Sequence, residues 1–471
     1  MNLYDSLLQY AAESRYPMHM PGHKRAADFV MENPYSFDVT EVEGTDNLHH
    51  PEGIILQEME RMKERYGTKN TYLLVNGSTC GILAAISACC HRGDTIVVAR
   101  NCHRSVYHAM ELLELHPVYL YPLVDEETGI CLGITAEQVK EALDECQPSC
   151  MVVTSPTYEG VVSDIRQIAE ISHGKDVPLV VDEAHGAHFA WSEGMPETAM
   201  EQGADLVIES LHKTLPALTQ TGLLHRGTDR VPAERVEHYL GIYETSSPSY
   251  VLMGSISQCM QWLFENSETR FPAYLDLLAK FRQQAGKWKQ LALWEIPEKE
   301  PSKLVVTTTG TSLTGPELAD KLRREYSIEV EMAAPGYVIA MTSVGDTPEG
   351  FRRLAFALTE IDAEIDAGQI RREEGKKEKG YQQQEDKAAV RRTIYDAVNA
   401  EWETLPLSDA VGRISAEYAM MYPPGIPFLV PGEEVTACIV SRIQEMEEQN
   451  LILLGLQDET GHTLRVCRQE E

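Results

Sequence analysis

The sequence predicts an α/β protein with a mainly parallel sheet in a large domain, a smaller α/β domain and a C-terminal domain. Two observations carry this. Between about Glu52 and Arg230, six short β-rich apolar runs alternate with amphipathic helical stretches, and each run ends in a polar or glycine-containing loop. Apolar runs of strand length separated by helices are the pattern of parallel strands buried on both faces. A second, shorter group of such runs follows a long helical stretch, and a charged segment separates that group from the C-terminus.

Residues 1–50 are rich in Pro, Gly, His and acidic side chains, with few periodic apolar runs, and read as an ordered arm. Residues 51–290 form the large domain, whose strands are predicted by TYLLVNG, DTIVVAR, PVYLYPL, CMVVTSPT, VPLVVDEAHG and ADLVIESLHK. The helical stretch from about Tyr250 to Lys289 crosses into residues 291–370, the small domain. Its strands are KLVVTTTG, SIEVEMAA and GYVIAMTS, followed by the helix FRRLAFALTEIDAEIDAG. Residues 371–395 include RREEGKKEKGYQQQEDKAAVRR, which has too few large apolar groups for a core and reads as a charged linker or solvated helix. Residues 396–471, with YPPGIPFLVPGEEV and LILLGL, form the C-terminal domain.

Composition narrows the function classes. The 471 residues are 43% hydrophobic, enough for two to four domains with sizeable cores. The start, MNLYDSLLQYAAESRYP, lacks a secretory signal, and no stretch reaches the roughly 18 apolar residues of a membrane span, so a cytoplasmic protein is expected. A formal charge of -32 argues against nucleic acid and anionic membranes as partners. The ten cysteines form no CxxC pair or zinc spacing and read as reduced thiols.

The residues able to do chemistry fall at the carboxyl ends of the predicted strands, where open α/β sheets bind ligands: Ser78, His103, Thr157, Asp182, His185 and Lys213. Lys213 leaves the buried run ADLVIE, where burial disfavours an ammonium and lowers its pKa. Asp182 ends the apolar run VPLVVD, where a carboxylate needs a cationic or hydrogen-bonding partner. A surface lysine and a helix-capping aspartate would explain each alone. Together, on successive strand ends, they match the lysine and aspartate that hold pyridoxal 5'-phosphate (PLP), the lysine at the aldehyde and the aspartate at the pyridine nitrogen. The turn Asn76–Gly81 opens a helical run whose unpaired N–H groups suit a phosphate, although Ser78 is equally a plain N-cap. His103 could stack on a flat ring or cap its own helix. Asp182, His185 and His188 lie close together, but no HExxH-like frame accompanies them, so no metal site is expected.

The stretches MHMPGHKR (18–25), EVEGTDNLHHPEG (41–53), NGSTCG (76–81), RNCHRSVYHA (100–109), SPTYEG (155–160), VDEAHGAHF (181–189) and SLHKTLPALTQTG (210–222) resemble the bacterial ornithine/lysine/arginine decarboxylases of PLP fold type I, the aspartate-aminotransferase-like fold. The likeness continues, in order, through YETSSPSY (243–250), IEVEMAAPGYVIAMTSVG (328–345) and YPPGIPFLVPGE (422–433). This resemblance implies that Lys213 holds PLP, Asp182 pairs with the pyridine nitrogen and His103 stacks on the ring. It implies that Ser78, Thr79, Ser210 and His212 bind the phosphate and that His185 lies near the ring edge. Thr245 or Ser246 would reach the phosphate of a neighbouring subunit in a homodimer or higher homo-oligomer. Glu331 would handle substrate or donate a proton. The chain looks like the short form without an extra N-terminal domain, and Ser155 stands where the family pattern has Asn.

The implied reaction converts a basic amino acid (arginine, lysine or ornithine) to a polyamine-pathway amine and CO2. Lys213, His212 and Glu331 are candidates for the acid that protonates the α-carbon, and Glu331, Glu43 and Asp46 for the partner of the substrate's distal cation. The strand GYVIAMTSV carries no arginine to clamp the substrate carboxylate, which favours its expulsion. An aminotransferase or lyase of the same fold is the competing enzyme reading. A catalytically silent binding protein is the other alternative, but it would have no need of the Lys213–Asp182 pair.

Overall fold

The computed structural model describes residues 2–26, 28–29, 31–370, 387–421, 425–448 and 452–469. The charged stretch expected around 371–391 lies outside the described residues as far as 386, as do residues 422–424 of the YPPG motif.

The arm contains a helix, Leu3–Ala12, and a short strand β1 (Tyr16–Met18). The large sheet holds β2 (Asn70–Leu74), β3 (Thr95–Ala99), β4 (His116–Leu120), β5 (Cys150–Thr154), β6 (Leu179–Asp182), β7 (Leu206–Ser210) and β8 (Gly222–Arg226), in spatial order β2-β8-β7-β6-β5-β3-β4. The pairs from β7 through β6, β5 and β3 to β4 are parallel, and only β8 runs against its neighbours. Alternate strand residues feed different cores. Ile96 and Val98 join a cluster with the helices Gly77–Cys89, Arg104–Leu112 and Ala233–Tyr243, whereas Val97 packs with Ala136–Glu145 and Ile165–Gly174. All three residues are fully buried, which explains why these strands read as continuous apolar runs.

The helix Tyr250–Ala285 leads to an antiparallel sheet of β9 (Ala292–Leu293), β10 (Lys303–Thr307), β12 (Met332–Ala334) and β13 (Tyr337–Met341), ordered β12-β13-β10-β9. The run SIEVEMAA is split. Its first half, β11 (Ile328–Val330), pairs in parallel with β1, so the arm is stitched to the small-domain side. Beyond the helix Pro348–Asp366, β14 (Trp402–Pro406) pairs with β18 (Thr463–Cys467), and β15 (Ala419–Met421) lies between β16 (Ile426–Leu429) and β17 (Leu453–Leu454). These strands enclose a separate apolar cluster that includes Leu407, Leu429, Ile443, Leu464 and Val466. No described helix is long and apolar enough to cross a membrane.

Candidate active site

The site is assembled at the carboxyl ends of the large-sheet strands, as parallel open sheets favour. Asp182 is the last residue of β6 and pairs in register with Ile208 of β7, two residues before Ser210. The chain turns at Ser210 into the single helical turn Leu211–Thr214, which carries Lys213. Asp182 and Lys213 therefore leave adjacent strands on the same edge of the sheet.

Lys213 is half-buried, and its Nζ lies 3.1 Å from His185 Nε2. Burial lowers its pKa; the Asp182 and Glu331 carboxylates oppose that shift, and the Lys303 ammonium adds to it. Asp182 is 3% exposed, and burial raises its pKa against the pull of Lys213 and the N–H that Ala184 donates to Oδ1 at 3.2 Å. His185 is buried, its ring stands edge-on to Tyr158 at 5.1 Å, and its pKa is far below the usual value, first through burial and then through Lys213. Its Nδ1 is buried without a hydrogen-bond partner among the described residues. Such an orphaned polar atom signals a missing partner.

Ser78 and Ser210 meet where β7 and the helix Gly77–Cys89 converge. Their hydroxyls are 2.5 Å apart, and Ser78 donates to the Glu209 carbonyl at 3.2 Å. Ser78 is thus not the helix cap. The cap position belongs to Asn76, which makes no side-chain cap bond; the Gly77 N–H donates to the Gln220 carbonyl at 2.9 Å, so the N–H groups of Ser78 and Thr79 are the ones that keep their capacity for an anion. The helix comes close to the sheet because Gly81 has no side chain: a Cβ there would sit 2.6 Å from Leu74 Cδ1 and 3.2 Å from Ile208 Cγ2. Thr79 is exposed on this first turn.

His103 caps its own helix, Arg104–Leu112, by accepting from Ser105 N–H at 3.3 Å through Nδ1. That places the ring proton on Nε2. Burial, then the Lys213 charge, bring its pKa down to about 3, so the ring is neutral. His212 is neutral as well, with a pKa brought down to about 4 chiefly by burial. Its Nδ1 faces the Thr221 carbonyl at 3.0 Å. A carbonyl only accepts, so Nδ1 carries the proton and Nε2 is bare; neutral His212 can take a proton there but has none to give.

Glu331, between β11 and β12, accepts from Tyr158 OH at 2.6 Å and from the Met20 N–H at 2.8 Å. The arm thus reaches the site twice, because Gly22 N–H also donates to the His212 carbonyl at 2.7 Å. Gly22 lies so close to the lysine-bearing turn that a Cβ would sit 2.5 Å from the Leu215 carbonyl oxygen. Next to it, buried Lys24 gives its Nζ to the carbonyls of Pro17, His19 and Met341, with the Asp346 carboxylate at 3.9 Å.

Other expected residues lie apart. The Thr245 carbonyl accepts from the His49 ring nitrogen at 2.8 Å. Asp46 is consumed structurally. It accepts N–H groups from Asn47, Glu52, Gly53 and Ile55, which outweigh the raising effect of burial and set its pKa at about 2. Glu43 is exposed. His188 turns away from His185, with Nε2 3.5 Å from buried Glu300. The residues that sequence reasoning missed are Tyr158, Lys24 and the backbone of Met20 and Gly22. The motifs MHMPGHKR and SPTYEG marked their neighbourhoods without assigning them roles.

Residues 1–315 match the family described as Orn/Lys/Arg decarboxylase, major domain, and residues 375–465 match Orn/Lys/Arg decarboxylase, C-terminal domain. The chain belongs to the Orn/Lys/Arg decarboxylase family. It is 33% identical over 490 residues to an arginine decarboxylase of Bacillus subtilis, covering 100% of this chain and 98% of that one. To the lysine decarboxylase LdcA of Pseudomonas aeruginosa it is 23% identical over 564 residues, covering 94% of this chain and 75% of that one. The solved lysine decarboxylase A of the same organism superposes with a TM-score of 0.79 at 20% identity, over 99% of this chain and 80% of that one. The decarboxylase therefore has PLP fold type I, with its mostly parallel central sheet.

Proposed function

We propose that the chain decarboxylates arginine to the corresponding amine and CO2, with PLP carried on Lys213. Family membership makes it a decarboxylase of basic amino acids. Arginine is the choice within that class because the arginine decarboxylases match at higher identity and over nearly their whole length. The observation that carries the residue assignment is the half-buried Lys213 amine beside His185, on the turn after the strand that neighbours Asp182.

The residues suit the cofactor. Buried Asp182 would keep the pyridine nitrogen protonated, and the His185 Nδ1 left unpaired in the protein offers a contact near the ring edge. Ser78, Thr79 and Ser210, with the N-terminus of Gly77–Cys89, would hold the phosphate, and His103 would lie on the ring face; His212, expected there as well, turns its only ring proton to the Thr221 carbonyl and has none to offer a phosphate. Bound PLP supplies an electron sink for the pair released as the Cα–carboxylate bond breaks. Lys213, its pKa lowered by burial, presents an amine that can capture an aldehyde and later carry a proton. Since neutral His212 has no proton to give at Nε2 and Glu331 accepts hydrogen bonds at both carboxylate oxygens, Lys213 is the donor to the α-carbon that the geometry favours. Glu331, fixed by Tyr158 and Met20, is also the carboxylate best placed for the distal cation of a basic substrate.

This reading divides the chain into the arm (1–50), the PLP-binding large domain (51–290), the small domain (291–370), a charged linker (371–395) and the C-terminal domain (396–471). It makes the protein a cytoplasmic homodimer in polyamine metabolism, with Thr245 or Ser246 completing the partner's phosphate site. Borohydride reduction of the PLP-loaded protein followed by peptide mapping should place a pyridoxyl group on Lys213, and Lys213→Ala should lose the visible cofactor band. A band retained by Lys213→Ala would reject the lysine assignment.

A further inference from the structure

We infer that the C-terminal domain positions the ring-stacking residue His103, through a buried ion pair between Arg100 and Glu433. The inference rests on the proposed PLP site and adds to it two positioning residues that lie outside that site. Arg100 directly follows β3 and precedes His103 by three residues. Its guanidinium donates to Glu433 Oε2 at 3.0 Å, to the Pro427 carbonyl at 2.6 Å and to Tyr107 OH at 2.7 Å. Tyr107 in turn donates to the Arg100 carbonyl at 2.6 Å, and it belongs to the helix that His103 caps. The rings of Tyr107 and Tyr119 lie 5.5 and 5.1 Å from the guanidinium carbon.

One planar group therefore joins the C-terminal domain to both ends of the loop that carries His103. Arg100 is 8% exposed and Glu433 is 1% exposed. Removing two charges from water costs enough that such a pair is a poor device for stability alone, whereas a fork of fixed donors is a good device for holding geometry. Glu433 is itself held, because Oε2 also accepts the Val430 N–H at 2.8 Å. The His103 ring has hydrogen bonds only to Ser105 among the described residues, so its place is set by the backbone that Arg100 pins.

Other contacts dock the same domain independently. Tyr418 packs against the large-domain core and its OH donates to Glu111 at 3.3 Å, and Ile394, just before the domain, is buried in that same core. Loss of Glu433 should therefore leave the domain attached while the loop relaxes.

The test is a PLP titration of the full-length protein without substrate, read by the visible band and its circular dichroism, as a double-mutant cycle between Glu433→Ala and His103→Ala. Glu433→Ala should weaken PLP binding by roughly 2- to 30-fold and change the dichroism. Glu433→Gln, which keeps an acceptor for Arg100 and Val430, should recover most of the loss. In the His103→Ala background, Glu433→Ala should cost little more. Arg100→Lys, which keeps charge and loses the fork, replaces Glu433→Ala in the cycle if that variant does not fold. Unchanged affinity and dichroism in Glu433→Ala, or an equal loss with His103 already removed, would overturn the inference. Wild-type protein that forms no PLP band would instead sink the functional reading beneath it.

Discussion

The environment of single side chains decides what each can do. His103, His185 and His212 are all held neutral by burial and by the neighbouring Lys213 charge or amine. For His103 this has a measurable consequence in the cofactor-free protein. Below about pH 6.5 the unfolded chain binds a proton at this residue, while the folded chain does not until about pH 3. The native state is therefore penalised as pH falls through that window, by up to about 1.4 kcal/mol per pH unit. Denaturant unfolding of wild type and His103→Gln, at pH 6.5 and at 4.5, should show the difference shifting toward the variant at the lower pH. A constant difference would mean that the imidazole is not kept neutral. Tyr158→Phe removes only the hydroxyl that holds Glu331, and about 1 kcal/mol for such a bond corresponds to a roughly fivefold loss in kcat/KM with PLP affinity unchanged. A variant with wild-type kcat/KM would show that Glu331 needs no such support. The sequence marked Lys213 and Asp182 because both stand at the end of apolar runs. It could not mark Tyr158 or Met20, whose partner Glu331 lies far away along the chain and meets them only in the folded protein.

At the level of elements, legibility followed burial. The runs around Ile96–Val98, Met151–Val153 and Leu179–Val181 read as strands because the sheet buries both faces. The strand GLLHR (β8) escaped notice because it carries His225 and Arg226. Their burial is compensated by partners that the fold supplies: Thr71 meets His225 Nδ1 at 2.9 Å, Asn70 accepts from Arg226 Nε at 2.8 Å across the β2–β8 pair, and the Thr228 carbonyl accepts from the Arg226 guanidinium at 2.8 Å. The pairing of β1 with β11 was equally hidden, since a three-residue strand has no period of its own and is defined by its partner. That pairing matters for the site, because the arm then passes Met20 to Glu331 and packs Gly22 on the Lys213 turn. Gly22→Ala would push a methyl group into the backbone of Thr214 and Leu215. Overpacking of this kind costs about 1–3 kcal/mol, and here the strain falls on the turn that carries Lys213, the proposed cofactor lysine. Gly22→Ala should lower both the unfolding midpoint and PLP affinity; an unaffected PLP titration would mean that the arm does not set the position of that turn.

For the whole molecule, the family assignment gives a decarboxylase of basic amino acids, and the site explains how this chain would carry the reaction. The large sheet supplies Asp182, Ser210 and Lys213, the small-domain side supplies Glu331, and the arm ties the two together. The strong negative charge, -32 overall, adds a field that favours the approach of a cationic substrate and should make association weaken as salt rises. The most direct measurement is incubation of the PLP-loaded protein separately with arginine, lysine and ornithine, with CO2 and the amine products scored by mass spectrometry. Arginine should give CO2 with agmatine, faster than lysine or ornithine gives any amine, and Lys213→Ala should give no product. Absence of CO2 from all three, or keto acid in place of amine, would contradict the proposed reaction.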